Sequence, residues 1–363
     1  MSNYKNIIFN GFSCDLWTYL KRETLPILIY GMGNGADKII NVLEKYEIEY
    51  KDVFASDGFV RGHSYKGKTV LSYSQACEKY GNNFIILVSF GSKLSDVIDR
   101  IYSLEQNHKV FCPDVPVCDG ALFNEDFFNT HEKELFEARS LLYDEKSVEV
   151  FDNIIRFKLT GKPNYLRITS FNENEVDNIL RLDSYKSYAD LGAYNGDTIR
   201  KYTKICPHIN TIYAFEPDIR NFKKLSKYCE ELSNINFFLF NNAVCDFNKA
   251  LHFSSSGNRN SSGASSGSFQ HKTVQIEGKA LDNVASQVDF IKYDVEGLEY
   301  DALLGSKELI KAYQPDLLVS MYHKSEDMYE LPILVNKLNP DYKLYLRRLP
   351  YIPAWDLNLY AIK

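Results

Sequence analysis

At two places in the chain, a short apolar run leads directly into a glycine-containing loop and then into helical periodicity. The first run, residues 26–30, ends in the loop 31–36, and the second, residues 187–190, opens into the loop 190–197. Strand and helix patterns alternate after both loops, which favours parallel, doubly wound sheets. The pattern therefore predicts an α/β chain with two Rossmann-like domains.

The length supports more than one domain, because 363 residues is about twice the usual size of a single domain. We predict a Rossmann-like accessory domain over residues 1–130 and a second doubly wound domain over residues 181–363. Apolar residues at helical spacing between them predict a helical bridge over residues 131–180. The sequence leaves the oligomeric state open.

Charge and cysteine usage exclude several classes of protein. The chain has 42 Lys+Arg against 48 Asp+Glu, so a broad basic surface is absent and we expect no nucleic-acid partner. Its seven cysteines are scattered without a C-x-x-C pair, which is typical of free thiols in a reducing compartment. Residues 1–10 lack the features of a signal peptide, and apolar runs such as 84–88 are only strand-sized. We expect a cytoplasmic protein with no membrane span.

The second glycine loop indicates a nucleoside site. Gly192 and Gly196 allow the backbone to turn tightly, and Asp190 and Asp197 flank them. Acidic residues here disfavour a pyrophosphate and suit a ligand with an ammonium or sulfonium charge. Glu216 ends the next strand about 20 residues later, the position from which a carboxylate accepts the hydroxyls of a ribose.

Four blocks in the C-terminal half carry a family resemblance. They are Asp190-Leu191-Gly192-Ala193-Tyr194-Asn195-Gly196-Asp197, Tyr213-Ala214-Phe215-Glu216-Pro217-Asp218, Asp289-Phe290-Ile291-Lys292-Tyr293-Asp294-Val295-Glu296-Gly297 and Tyr322-His323. In this order they resemble the FkbM-type methyltransferases over about residues 140–363. The resemblance implies a class I methyltransferase-type sheet and S-adenosylmethionine as the cofactor. It also implies methyl transfer to a hydroxyl of a small-molecule or glycan acceptor, such as a sugar or a related natural product.

Loop and strand-end residues are then predicted to bind the cofactor. We expect Asp190 and Asp197 near its methionine part, Glu216 at the ribose with Asp218 as the weaker candidate, and Asn242 beside the adenine. A surface turn is the alternative for Asn242. The full predicted set is Asp190, Gly192, Tyr194, Gly196, Asp197, Glu216, Asp218, Asn242 and Ala243.

Three further residues at strand ends are predicted to act on the acceptor. His323 is the candidate general base, since a histidine that titrates near neutral pH can take the proton of a sugar hydroxyl. Asp294 is expected at the methionine end or the acceptor hydroxyl, and Glu296 is expected either to orient the acceptor or to sit at a helix N-terminus. Glu299 is expected to be a solvated acid. A divalent metal held by Asp294, Glu296 and His323 is possible but not favoured, so we predict no metal ligands.

The N-terminal glycine loop leaves other functions open. Residues 31–36 match G-x-G-x-x-A, with Asp57 as the candidate ribose acid, so this domain is a possible nucleotide or nucleotide-sugar site. We favour packing or accessory binding for it. The alternatives are an NAD-dependent sugar-nucleotide oxidoreductase or epimerase and a non-catalytic nucleotide-sugar-binding module. A Ser/Gly-rich stretch, residues 254–268 with Arg259, is predicted to be a lid or a disordered loop.

Overall fold

The computed structural model describes residues 4–60, 62–118, 120–246, 250–254 and 273–363. Residues 255–268 of the predicted lid, Arg259 among them, lie outside the described residues. Within these ranges the chain forms two large sheets, one parallel and one mostly parallel, each covered by helices, and two small sheets of two and three strands. This is the doubly wound α/β organisation that the sequence predicts.

The N-terminal half contains a five-stranded parallel sheet in the order β5-β2-β1-β6-β7. Strands β1, β2 and β6 are buried along their whole length, because helices cover both faces of the sheet. The strands are β1 Ile27–Tyr30, β2 Asp52–Ala55, β3 Ser64–Tyr65, β4 Lys68–Thr69, β5 Leu71–Ser72, β6 Ile85–Val88 and β7 Lys109–Phe111. The helices are α1 Tyr4–Ile8, α2 Leu16–Arg22, α3 Asn34–Lys45, α4 Tyr73–Tyr80 and α5 Ser95–Leu104, with a 3₁₀ turn at Asp57–Phe59.

The C-terminal half contains a seven-stranded sheet in the order β10-β9-β8-β14-β15-β17-β16. Its strands are β8 Ser187–Leu191, β9 Thr211–Phe215, β10 Asn236–Phe240, β14 Phe290–Tyr293, β15 Asp316–Ser320, β16 Lys343–Arg348 and β17 Leu357–Ile362. A smaller sheet beside it contains β11 Ala243–Val244, β12 Ala250–Ser254 and β13 Thr273–Lys279. Strands β12 and β13 pair antiparallel within it.

In this large sheet β17 runs opposite to the other six strands, which are parallel to one another. The strand order reverses between β8 and β14, which makes their carboxyl ends a switch point where a crevice opens. The helices of this half are α11 Asp197–Ile205, α12 Ile219–Glu230, α13 Glu299–Leu304, α14 Lys307–Tyr313 and α15 Asp327–Leu338. Short 3₁₀ turns lie at Leu182–Ser184 and Leu281–Asn283.

Helices also occupy the stretch between the two sheets. They are α6 Glu125–Thr130, α7 Glu132–Ser140, α8 Glu145–Thr160, α9 Asn164–Arg167 and α10 Glu173–Asp177. Helix α8 starts at the capping side chain of Asp144, ends at the left-handed Gly161, and contacts both α1 and β16.

One apolar core spans both halves of the chain. It runs from Leu28 and Ile86 in the N-terminal sheet through Phe151 in α8 to Leu191 and Val319 in the C-terminal sheet. The predicted division at residues 130 and 180 therefore has no break in packing to mark it, and the domain boundaries stay a prediction. Among the described residues, no helix is both long enough and apolar enough to cross a bilayer.

Candidate active site

A cavity of about 470 Å³ opens at the carboxyl ends of β8, β9 and β14. Eight of the residues that the sequence singles out line it. These are Gly192, Tyr194, Asp197, Glu216, Asn242, Ala243, Asp294 and Glu296. The other four predicted residues are buried behind this wall, and they are Asp190, Gly196, Asp218 and His323. The structure thus brings the predicted residues to one place in two layers.

The glycine loop after β8 is shaped by its contact with the end of β14. Gly192 has φ +87°, and a Cβ atom there would lie 1.9 Å from the carbonyl oxygen of Asp294. Only glycine permits this approach. The amides of Gly192 and Ala193 donate to the Phe215 carbonyl at 3.0 and 2.8 Å. Three strand ends are therefore held together around the cavity.

Glu216 is fixed at the end of β9. Its carboxylate accepts the amides of Tyr194 at 2.9 Å and Asp218 at 2.8 Å, one on each oxygen, and the residue is 6% exposed. Burial raises the pKa of Glu216 to about 7, although the two amide donors oppose the shift. The side-chain amide of Asn241, a residue not predicted, donates to the carbonyls of Glu216 and Pro217 and holds the turn.

Asp218 and Asn242 have partners that explain their positions. The Asp218 carboxylate caps α12, accepting the amides of Arg220 and Asn221 at 2.8 and 3.1 Å. The Asn242 side chain donates to the Glu277 carbonyl at 2.9 Å while the residue lines the cavity. Asp218 is thus committed to helix capping, whereas Asn242 faces the site.

A buried lysine that is not among the predicted residues links two predicted acids. Lys292 Nζ lies 3.3 Å from Asp190 Oδ1 and 3.4 Å from Asp294 Oδ2. Burial raises the pKa of Asp190 to about 6, with Lys292 opposing the shift. Burial alone would lower the pKa of Lys292, but the two carboxylates raise it. A lysine inside the otherwise apolar strand β14 was the available signal.

His323 is the centre of a second buried cluster. Its Nδ1 lies 2.9 Å from Glu299 Oε1, and its Nε2 lies 3.5 Å from Glu296 Oε2 and 3.7 Å from Asp294 Oδ1. Burial alone would lower the pKa of this imidazole, but the three carboxylates, Glu299 foremost, raise it to about 10. In the free protein His323 is therefore protonated at neutral pH.

The prediction that Glu299 is a solvated acid is wrong. The residue is completely buried, and its carboxylate accepts the amides of Val295 at 2.9 Å and Gly297 at 3.1 Å. The reason is the loop between β14 and α13, where Glu296 has φ +54° and Gly297 has φ +92°. In that turn the amides of Val295 and Gly297 point towards the first turn of α13, where the Glu299 carboxylate accepts them. The same carboxylate also contacts His323.

The two cavity-facing acids of this cluster differ in acidity. Burial raises the pKa of Glu296 to about 7, against the opposing charge of His323. Burial alone would raise the pKa of Asp294, but the charges of Lys292 and His323 outweigh burial and lower this pKa. Asp294 Oδ1 accepts a further hydrogen bond from the Tyr322 hydroxyl at 3.0 Å. At neutral pH, Asp294 is ionised and Glu296 is close to half protonated.

A metal is compatible with part of this cluster. Asp294, Glu299 and His323 each present one ligand-type atom, and these atoms lie within 4.8 Å of one another. The set differs from the alternative considered from the sequence, with Glu299 in the place of Glu296. Because Glu299 already accepts two backbone amides and contacts His323, these contacts account for it without a metal.

The N-terminal glycine loop is engaged in contacts within its own half. A Cβ atom at Gly35 would lie 2.1 Å from the Ser89 carbonyl oxygen, and the Tyr65 hydroxyl donates to the Gly33 carbonyl at 3.2 Å. The Asp57 carboxylate accepts the backbone amide and the hydroxyl of Ser74 in α4. A nucleotide role for this loop stays a prediction.

Two comparisons with known proteins found matches, one with solved structures and one with protein-family models. The crystal structure of methyltransferase FkbM from Methylobacillus flagellatus KT matches with a TM-score of 0.70 at 19% identity, covering 100% of this chain and 94% of that chain. At this identity the likeness shows that the two chains share a fold over nearly their whole length. Residues 190–352 match the family model described as the methyltransferase FkbM domain. The predicted family is thereby confirmed, and the chain carries an FkbM methyltransferase domain.

Other solved structures resemble only about half of the chain. Fibrillarin from Aeropyrum pernix, in complex with S-adenosyl-L-methionine, matches at 14% identity and TM-score 0.31, covering 50% of this chain and 69% of that chain. An rRNA methylase from Streptococcus thermophilus has the same identity and TM-score, covering 50% and 88%. Likenesses this distant carry no argument about function. No curated protein matches the sequence.

Proposed function

We propose that this protein is an O-methyltransferase that transfers a methyl group from S-adenosylmethionine to a hydroxyl of a sugar, glycan or related natural product. The observation that carries the proposal is the buried carboxylate of Glu216, fixed by two amides at the end of β9 and facing the cavity that Gly192 borders. Each oxygen of this carboxylate keeps a lone pair for a ribose hydroxyl.

The cavity fits the charge of this cofactor. Asp197, Glu216, Asp294 and Glu296 face it, and Lys292 offsets only part of their charge. A sulfonium and an ammonium group would be stabilised there, whereas a pyrophosphate would be repelled. When bound, the cofactor supplies a methyl group made reactive by its positive sulfur. Asn242 and Ala243 border the position proposed for the adenine.

The proton of the acceptor hydroxyl is assigned to Glu296, which lies beside the protonated His323. The Glu299 carboxylate lies 2.9 Å from Nδ1 of the imidazole, and Glu296 and Asp294 lie on the side of Nε2. His323 already carries a proton at neutral pH, and Glu296 has a pKa of about 7. The ionised form of Glu296 therefore takes up the proton at neutral pH, and the protonated His323 stabilises that carboxylate while it is ionised.

Titration calorimetry with S-adenosylhomocysteine tests the cofactor assignment. We expect binding to the unmodified protein and a loss of about tenfold to hundredfold in E216A, because a buried, charge-assisted hydrogen-bond acceptor is removed. E230A is the matched control, since Glu230 is an exposed acid at the far end of α12. Equal affinity in E216A and the unmodified protein would refute the assignment.

Product analysis tests the reaction class. The protein is incubated with isotope-labelled cofactor and a panel of sugars and polysaccharides, and a labelled methyl group is sought by mass spectrometry. Parallel titrations with NAD and UDP-sugars cover the alternative functions of the N-terminal loop. Binding of NAD without binding of S-adenosylhomocysteine would favour the oxidoreductase instead.

A further inference from the structure

Two segments of the N-terminal half reach the cavity of the C-terminal half. Lys93 follows β6 and Val117 follows β7, and both line the same cavity as Gly192 and Glu216. Both positions follow the carboxyl ends of strands in the N-terminal sheet. The carboxyl ends of strands from both sheets therefore face the same cavity. The N-terminal half therefore forms part of the cavity wall.

The first segment seats an aromatic side chain. Ser92 and Ile352 exchange two backbone hydrogen bonds, at 2.8 and 3.0 Å, which tie the segment to the stretch between β16 and β17. A Cβ atom at Gly91 would lie 2.6 Å from the ring of Trp355 and 3.0 Å from that of Tyr351. Trp355 therefore packs directly on the backbone of Gly91, and this half-buried residue lines the cavity.

The second segment contacts the buried cluster. The amides of Val117 and Cys118 donate to the His323 carbonyl at 3.2 and 3.3 Å, and the Cys118 thiol donates to the Glu296 carbonyl at 3.1 Å. The ammonium of Lys38 holds this segment from the N-terminal side, donating to the Val117 carbonyl at 2.5 Å. The N-terminal half thus contacts the backbone of both His323 and Glu296.

We propose that the acceptor binds in a subsite built by both halves, with an uncharged sugar ring stacked on Trp355 and a ring hydroxyl hydrogen-bonded to Lys93. This inference rests on the proposed methyltransferase function and names its substrate class. A sugar presents a face of C–H groups that packs on an indole ring, and its hydroxyls accept from an ammonium. Lys93 is exposed and, among the described residues, has no ion-pair partner.

Charge on the cavity wall selects against an acidic sugar. The lining carboxylates outnumber the lysines by seven to three among the described residues. The carboxylates are Glu173, Asp177, Asp197, Glu216, Asp294, Glu296 and Asp356, and the lysines are Lys93, Lys201 and Lys292. One bound cofactor brings too little positive charge to reverse this excess. A uronate or a sugar phosphate would be repelled, whereas a neutral glycoside would not.

Tryptophan fluorescence tests the platform. The chain has two tryptophans, and Trp17 is only 2% exposed, so a ligand in the cavity reports through Trp355. Protein saturated with S-adenosylhomocysteine is titrated with methyl glucoside, methyl mannoside, methyl galactoside, glucuronate and glucose 6-phosphate. We expect a saturable change with a neutral glycoside and at least tenfold weaker binding of both anions. Titration calorimetry should show weaker glycoside binding in W355F, which lacks the reporting indole. No change with any of the five, or tighter binding of the anions, would overturn the proposal.

A matched pair of glycine substitutions tests the role of the N-terminal half. G91A forces the ring of Trp355 to move, whereas G58A adds the same methyl group in the same half where nothing lies within 4 Å. We expect G91A to weaken glycoside binding about tenfold with S-adenosylhomocysteine affinity within twofold, and G58A to change neither. Unaltered glycoside binding in G91A would overturn the composite subsite. Failure of the unmodified protein to bind S-adenosylhomocysteine would instead refute the proposed function.

Discussion

Replacing Glu299 by glutamine is expected to lower the pKa of His323 sharply. Glutamine keeps the size of the side chain and one oxygen for Nδ1, but it removes the negative charge. Glu299 is the carboxylate nearest to the imidazole, with its Oε1 2.9 Å from Nδ1, and it is completely buried. The substitution therefore isolates the charge of the residue that raises the pKa of His323 the most.

The size of the effect follows from that distance. At an effective dielectric constant of about 20, an ion pair 2.9 Å apart is worth about 6 kcal/mol, or about 4 pH units. The pKa of His323 is about 10 in this structure, against an ordinary value of 6.5. We expect the pKa in E299Q to fall by about 3 to 4 units, to near or below neutral.

Nuclear magnetic resonance of the imidazole nitrogens measures this pKa directly. The chain has seven histidines, and comparison with H323Q assigns the resonance. E308Q is the control, because Glu308 is also a first-turn glutamate, of α14, but its side chain is 66% exposed. A His323 pKa below 7 in the unmodified protein, or a change of less than one unit in E299Q, would refute the electrostatic argument.

Three other outcomes are expected. The raised pKa of His323 stabilises the folded state fully below pH 6.5, and this contribution is lost as the pH rises to about 10. Urea titrations should therefore show the unfolding free energy of the protein, relative to H323Q, falling by up to about 5 kcal/mol over that range. G192A should destabilise the fold by more than about 2 kcal/mol, because the added methyl group would clash with the Asp294 carbonyl. G11A is the control, since Gly11 has φ +98° but open space around it, so the substitution adds only backbone strain. Equal melting temperatures for the two variants would contradict this prediction. The pKa of Glu216 is about 7, so this carboxylate becomes protonated between pH 8 and pH 6. Calorimetry should show the affinity for S-adenosylhomocysteine falling over that range in the unmodified protein and staying constant in E216Q. A parallel fall in both proteins would be evidence against the ribose contact.

Sequence patterns predicted the parts of the site that depend on strand order. Apolar runs mark β8, β9 and β14, and the carboxyl ends of neighbouring parallel strands meet at one edge of a sheet. That geometry brings Glu216 and Asp294 to the same cavity without any knowledge of side-chain contacts. The strand pattern and the glycine loop were therefore sufficient to locate the crevice.

Residues that depend on loop conformation were missed. The burial of Glu299 follows from the left-handed turn at Glu296 and Gly297, which local periodicity does not encode. Lys292 is compensated by acids from two different strands, so its role appears only when those strands are paired. The sequence also did not predict that the two sheets share one apolar core, because residue composition does not indicate which elements pack together.

The position of β17 has a consequence for any shortened version of this protein. The segment that matches the family model, residues 190–352, starts inside β8 and stops before Leu357–Ile362. Yet β17 lies between β15 and β16 in the sheet, so a fragment with those ends would leave β16 without its neighbouring strand and expose two unpaired edges. Expression of the matched segment alone should give an aggregating polypeptide, and useful truncations must keep the C-terminal strand.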